Sequence, residues 1–555
     1  MPAPCFPVFA DEQEAIRVNR MTPAAVRALS ITDDEFAFLD VRGEGAFSRA
    51  HPLQAVSLPL SELELYIARL VPRLSVPVLL FDGGQGLSET AAARLHDMGY
   101  NAVAVVTGGL GEWLDAGGEL FRDVNVPSKA FGEWMDHFVG TPSLSAAEVK
   151  ALLDSGADVA LLDVRPFNEY AVMTLPGSIN VPGADLLLRA KELVPSDDTL
   201  VIVHCAGRTR SIIAAQTLVD SGLFPRAAAL RNGTIGWVTA GFDLEYGAAR
   251  RAPLTVRPEN LRRAREAARG MAERCGVRII DDAELRTWER EAQHKTLFRF
   301  DVRGPEEYAA ERADGFSSAP GGQLVQAADE YIGVWGARIV LADDDGVRAL
   351  ATACRLRQMG LRHTAVLRDG LRNRLRPVGQ QTEAPLHDRA CPADMLITVE
   401  ETARLTAEKA AVVLDLARST RCAAGHVPGA YLCPRAHLLE ALPSLPASAR
   451  IILTSPDGAL AALAAPELSG RARRPVSVLA GGTSAWQAEH RPMETGPARP
   501  LVPVDDCYKR PYEGTDNSRE AMQSYIDWEL GLVEQIRRDG TARFSLRPAP
   551  EGRPA

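Results

Sequence analysis

Three landmarks keep register four times along this 555-residue chain, and that repetition constrains the fold more than any other feature. The first is an apolar run ending in an acid: Asp40, Asp163 and Asp301 each open an Asp-Val-Arg triplet, and Asp415 opens Asp-Leu-Ala. The second is another apolar run delivering a loop that begins at Asp82, Cys205, Asp343 or Ser455, at offsets of 42, 42, 42 and 40 residues from the acid. The third is a glycine turn at Gly108-Gly109, Gly233, Gly370 and Gly481-Gly482. Four residues past its last glycine stands Trp113, Trp237 or Trp486, with Arg374 in the third unit.

Within each unit short apolar runs alternate with helical segments. The runs lack strict period-two alternation, as strands buried on both faces of a parallel sheet do. In the second unit ALLDV, LVIVHC and AAALRNG read as strands, while SAAEVKALLDS and RSIIAAQTLVDSG read as helices, the latter capped at Gly222. The fold class expected is therefore α/β: four tandem domains, each a parallel sheet with helices on both faces. The expected boundaries are 15–125, 135–250, 257–380 and 392–495, followed by a C-terminal extension over 496–555. RPENLRRAREAARGMAERCG reads as a charged helix bridging two halves. The extension opens Pro-rich and ends in an amphipathic helix near SREAMQSYIDWELGLVEQIRRDG, expected to dock on the body of the protein.

Composition narrows the function. Net charge is −10 and the basic residues are scattered, which argues against nucleic acid as a partner. No apolar run is long enough to span a membrane, and the N-terminus carries acids early and lacks the apolar stretch of a secretory signal. A cytoplasmic location is expected. The 8 cysteines are too sparse for a disulfide scaffold and show no zinc spacing, so all except Cys205 read as thiols without chemistry.

Cys205 stands apart because of its neighbours, Ala206, Gly207, Arg208, Thr209, Arg210 and Ser211. A thiol at the C-terminal end of a buried strand, facing a helix N-terminus, lies where open α/β sheets bind ligands. Successive loop amides form an anion cradle, the helix start adds positive potential, and Arg208 and Arg210 are expected to add two full charges. All of these favour thiolate over thiol. Gly207 permits the tight turn. The equivalent loops begin with Asp82, Asp343 and Ser455, so the other three units read as inactive; a carboxylate in the cradle repels an anionic substrate, and Ser455 has no evident base. Asp163 and Arg165 read as supporting residues, the acid tying down main-chain amides and the arginine bracing the loop; Glu169 is expected to pair with a loop arginine. Trp237 reads as packing.

These motifs together resemble the rhodanese family, across about residues 20–495. They are DVR at 163–165, Pro176-Gly177-Ser178-Ile179-Asn180-Val181-Pro182, the Cys205–Ser211 loop, and Gly233 with Trp237. Ala50-His51-Pro52 and Gly425-His426-Val427-Pro428-Gly429-Ala430 echo the middle motif, whereas Met173-Thr174-Leu175 departs from the family's usual Gly-His-Ile. The resemblance implies a sulfurtransferase in which Cys205 takes a sulfane sulfur from a donor such as thiosulfate. No cofactor is implied beyond the covalent cysteine persulfide, and the acceptors implied are cyanide, a thiol or a protein sulfur acceptor. Relatives that use mercaptopyruvate usually lack an arginine pair in this loop, which favours thiosulfate; glutathione persulfide is the competing donor. A phosphatase is disfavoured, because only four residues separate Cys205 from Arg210 where that chemistry uses five. A non-catalytic sulfur relay or scaffold is the alternative from another class. By analogy with two-domain rhodaneses, units one and two are expected to pair, with unit one walling the site, and units three and four to form a second pair.

Overall fold

In every unit the fourth strand, an apolar run, is the central strand of a sheet, with the second strand beside it and both of its faces covered. In the second unit these are Leu200–His204 and Val159–Asp163. They pair in parallel, with Asp163 opposite His204. Ala227–Leu230 and Ser143–Leu144 extend the sheet on one side and Ile179–Asn180 on the other, giving the strand order 1-5-4-2-3. The computed structural model describes residues 18–194, 196–377, 391–445 and 449–546, and all four units share that order. Cys5, the N-terminal segment read as lacking a signal, and residues 15–17, 378–380 and 547–555 of the expected units lie outside the described residues. Among the described residues no helix is long and apolar enough to cross a membrane.

Local sequence accounts for the helices. Ala146–Asp154 starts at a capping box in which Ser145 and Glu148 satisfy each other's amides. Thr209–Ser221 ends at Gly222, whose φ of 70° suits glycine. The charged bridge forms a helix over Pro258–Arg274, and the C-terminal helix runs from Arg519 to Asp539. The Pro-rich stretch before it adds one strand, Arg499–Pro500, to the edge of the fourth sheet. The third unit differs after its glycine turn. Where the other units place a short helix carrying tryptophan, it has turns and the strand Leu375–Pro377, which pairs antiparallel with Glu311–Ala313.

The Asp-Val-Arg triplet recurs as one device. Asp40, Asp163 and Asp301 each accept the main-chain amide and the guanidinium fork of the arginine two residues on. Each arginine also donates to a carbonyl eight residues downstream, at Ala50, Met173 or Glu311. In the fourth unit the arginine is Ala417, Asp415 keeps the amide bond but has no guanidinium partner among the described residues, and burial pushes its carboxyl up.

Two expectations are corrected. The units pair 2 with 3 and 1 with 4, not in serial order. Gly183 of the second unit lies against Gly322 of the third, so close that a Cβ on Gly322 would stand 3.3 Å from the Gly183 nitrogen. Arg355 and Arg348 of the third unit reach Asp220 and Asp185 of the second at 2.7 and 3.1 Å. At the equivalent place in the other pair, the Ala436 amide donates to Ser61 Oγ, and Arg435 and Arg418 pair with Glu64 and Glu62, both at 2.7 Å. Glycines without side chains, and loops that expose main-chain groups, make both contacts possible. The second correction concerns Cys275 and Cys354, which are joined by a disulfide between the end of the bridging helix and the helix Arg348–Gln358.

Candidate functional site

Strand Leu200–His204 ends at Cys205, and the helix Thr209–Ser221 begins four residues later, so the loop curls around the thiol. Cys205 is 2% exposed, and its Sγ lies 3.6 Å from Ser211 Oγ, which donates to the Arg208 carbonyl. The amides from Gly207 to Ser211 find no acceptor among the described residues. Gly233 props the loop from below. A Cβ there would stand 2.3 Å from the Cys205 carbonyl oxygen, and the glycine's φ is 51°, which explains the third landmark.

The sister loops show what this geometry holds. In the first unit Asp82 folds its carboxylate into its own loop and accepts from the amides of Gly84, Gln85 and Ser88 at 2.8–3.1 Å. In the third, Asp343 accepts from Gly346, Val347 and Ala349 at 2.8–3.1 Å. In the fourth, Ser455 Oγ accepts from the Ala461 amide at 3.3 Å. The cradle takes a carboxyl group in two units, and there the group is part of the chain; in the third unit burial and the neighbouring Asp345 push Asp343 up to about 7. Cys205 begins the one loop of the four whose first side chain leaves it open.

The two loop arginines are placed differently from each other. Arg208 is spent on the linker helix Val126–Val139: it donates to Glu133 at 2.7 and 2.9 Å, to Asp136 at 2.8 Å and to Asn232 at 3.0 Å. Burial works against its charge, but these carboxylates hold the guanidinium above its usual range. Arg210 forms a bidentate pair with Glu169, both bonds 2.8 Å. Burial would raise the Glu169 carboxyl, and Arg210 holds it below the usual range. Arg165 does not brace the Cys205 loop; its fork serves Asp163 and the Met173 carbonyl, so it fixes the middle motif instead. Burial would raise Asp163, but His204 and Arg165 hold it down at about 2. His204 is fully buried, shares a 2.6 Å hydrogen bond with Ser178 Oγ, and is pushed down to about 4 by burial. Trp237 packs under the sheet and donates to the Asp243 carbonyl at 2.8 Å.

Sequence reasoning missed the roof. The C-terminal helix lies across the linker helix and over the loop, and a Cβ on Gly207 would meet Tyr525 Cε1 at 3.1 Å and Glu529 Oε2 at 3.3 Å. Glu529 Oε1 accepts from Thr209 Oγ1 at 3.2 Å and from the Tyr525 hydroxyl at 2.7 Å, while Oε2 has no partner among the described residues. Burial, reinforced by the charge of Glu133, pushes Glu529 up to about 7. Beside it Lys129 is buried under the rings of Tyr512, Tyr525 and Trp528 and pairs with Asp123. The signal for Glu529 was present: it is an acid on the apolar stripe formed by Tyr525, Ile526, Leu532, Val533 and Ile536. The walls of the site are thus the linker helix and the C-terminal helix, with Gly321, Val325 and Gln326 of the third unit sharing a cavity with Arg210, while the first unit contributes Asp123 through Lys129.

A model of the rhodanese-like domain family matches residues 22–116, 145–240 and 398–489. The unmatched third unit is the one that lost its tryptophan and terminal helix yet kept the strand order. The crystal structure of a thiosulfate sulfurtransferase from Pseudomonas aeruginosa is similar over 95% of this chain and 100% of its own length, at 48% identity and a TM-score of 0.91. A putative sulfur carrier protein of Bacillus subtilis strain 168 is 32% identical over 107 residues, 17% of this chain and 57% of its own. An HTH-type transcriptional regulator of Mycobacterium tuberculosis strain ATCC 25618 / H37Rv is 30% identical over 112 residues, 20% of this chain and 48% of its own. The chain thus spans about half the length of these two curated relatives. Three matched units, a fourth of the same topology and full-length likeness to one solved member lead to one conclusion: this chain belongs to the rhodanese family.

Proposed function

We propose that the protein is a thiosulfate sulfurtransferase with one working site per chain, at Cys205. The observation that carries this reading is the contrast between the four cradles. Two are filled by the chain's own carboxyl groups, whereas the loop from Cys205 to Ser211 offers unfilled amides around a thiol. The full-length likeness to a thiosulfate sulfurtransferase supports the choice of donor.

The Cys205 thiolate attacks the outer sulfur of thiosulfate, the sulfur–sulfur bond of the donor breaks, and sulfite leaves with the electron pair. Loop amides and the start of the helix Thr209–Ser221 stabilise both the departing sulfite and the terminal sulfur left on Cys205. Arg210 supplies positive charge beside the thiol, held in place by Glu169. Cyanide or an acceptor thiolate then attacks the terminal sulfur, and Cys205 leaves as thiolate. Arg208 orients the loop through Glu133 and does not hold the donor.

Intact-protein mass after brief incubation with thiosulfate tests this directly. Wild type gains about 32 Da, one sulfur atom, and Cys205→Ser gains nothing. A gain that persists in Cys205→Ser overturns the assignment of the site. A gain seen with mercaptopyruvate or glutathione persulfide, but not with thiosulfate, overturns the donor.

A further inference from the structure

Away from the catalytic loop, a cavity of about 680 Å³ opens where the linker helix, the helix Thr209–Ser221, the bridging helix and the helix Arg348–Gln358 meet. Its lining holds both Cys275 and Cys354 together with Arg274, Arg355, Arg357 and Arg362. Asp220 is the one acidic residue of the lining, and its carboxylate is spent on Arg355 at 2.7 Å and Gln216 at 2.7 Å. Arg274 and Arg357 have no carboxylate within ion-pair distance among the described residues; they donate to main-chain carbonyls of Asp220, Cys275 and Arg362. Burial, together with neighbouring Arg278 and Arg362, lowers Arg357, which is the signature of positive charge crowded without a counter-ion. In a chain of net charge −10, this is a concentrated cationic hollow built around a disulfide.

We propose that this cavity is a thiol–disulfide exchange site for an anionic low-molecular-weight thiol, one that carries carboxylates as glutathione does. The volume suits a ligand of that size. Unpaired guanidinium groups suit its carboxylates, and the Arg357 Nε, 3.2 Å from the Cys275 carbonyl, sets positive charge next to the reacting sulfurs. Cys275 is partly exposed and Cys354 is buried, so attack falls on Cys275. The ligand's thiolate bonds to Cys275 Sγ, the Cys275–Cys354 bond breaks, and its electron pair leaves on Cys354 Sγ. One disulfide replaces another, with no net oxidation. The site stands apart from Cys205 and does not depend on the function proposed for it.

The test uses the full chain with Cys205→Ser, so that sulfur chemistry at the catalytic loop cannot contribute. Peptide mass analysis follows opening of Cys275–Cys354 by glutathione and by its diethyl ester, which has the same thiol without the carboxylates. Glutathione opens the bond with a rate that saturates and exceeds that of the ester by about tenfold or more at equal thiolate concentration, and it is found on Cys275. In Arg274→Gln/Arg357→Gln both thiols slow but the ratio falls to about one, because only glutathione loses partners for its carboxylates; a Cys275–Cys354 bond still formed and a thermal midpoint unchanged show that the cavity itself is intact. A rate linear in glutathione, equal rates for the two thiols, or a preference that survives the double substitution overturns the proposal.

Discussion

Arg208, Arg210 and Glu529 surround one loop with three different kinds of charge, and substitution at each has a different expected effect. Arg208 is the sole guanidinium within ion-pair distance of the buried Glu133 among the described residues, so Arg208→Ala leaves a charge without its partner. The expected cost is about 3–5 kcal/mol in urea unfolding, whereas the sequence alone pointed to an effect on substrate binding. Arg210→Ala should instead raise KM for thiosulfate, with a smaller loss of stability than Arg208→Ala because the Glu169 side chain it leaves is 34% exposed, and Glu169→Gln should lower kcat/KM about tenfold by loosening the same guanidinium. Unchanged kinetics in Glu169→Gln would show that the pair has no part in donor binding. Glu529 predicts a pH dependence. Between its unfolded value of 4.5 and about 7, the folded chain keeps a proton that the unfolded chain has lost, so stability falls as pH rises through that window. Glu529→Gln removes this fall, and its advantage over wild type grows from nothing at about pH 4 to about 3 kcal/mol at about pH 8. A gap that is constant with pH would place the proton elsewhere.

At the scale of elements, the C-terminal helix is held to the linker helix by an apolar seam in which Leu532 meets Phe121, Val126 and Ala130. Leu532→Ala should cost about 2–5 kcal/mol and open the roof locally. Alkylation of Cys205 by iodoacetamide, slow in wild type because the thiol is buried, should then accelerate about tenfold or more; an unchanged rate would mean that the reagent enters by another route. Strands and the Gly222 cap were legible in the sequence because each depends on neighbours a few residues away, whereas the glycine turn at Gly233, 28 residues beyond Cys205, was legible only because it recurs at nearly the same spacing in every unit. The loop around Cys205 was legible from its own neighbours. The roof and the fate of Arg208 were not, because Glu133 and Tyr525 reach the loop from distant segments, and nothing adjacent to them announces the contact. Glu529, set among apolar residues, was the exception that spacing alone could have exposed.

On the scale of the whole molecule units 2 and 3 pair and units 1 and 4 pair, and the first unit also packs on the third, where the Trp335 indole donates to the Gln54 carbonyl at 3.0 Å. Arg435 is buried in the contact between units 1 and 4, where it binds Glu64 and reaches Glu467. Arg435→Met should cost about 2–4 kcal/mol at that contact, and calorimetry should then resolve a first, lower transition for the fourth unit, whose core is separate from the one shared by the other three. A single unshifted transition would show that this contact does not couple the units. Serial units were the simpler expectation from sequence, and no local residue pattern distinguishes the two arrangements. The roof over Cys205 also sets an order in time. Glu529 leaves the ribosome more than 300 residues after Cys205, a delay of roughly 20–60 s at ordinary rates of synthesis. Until then the thiol sits in a half-built pocket, open to oxidants and without its neighbouring acid. A nascent or prematurely terminated chain therefore carries an unguarded cysteine, and only a finished polypeptide encloses it.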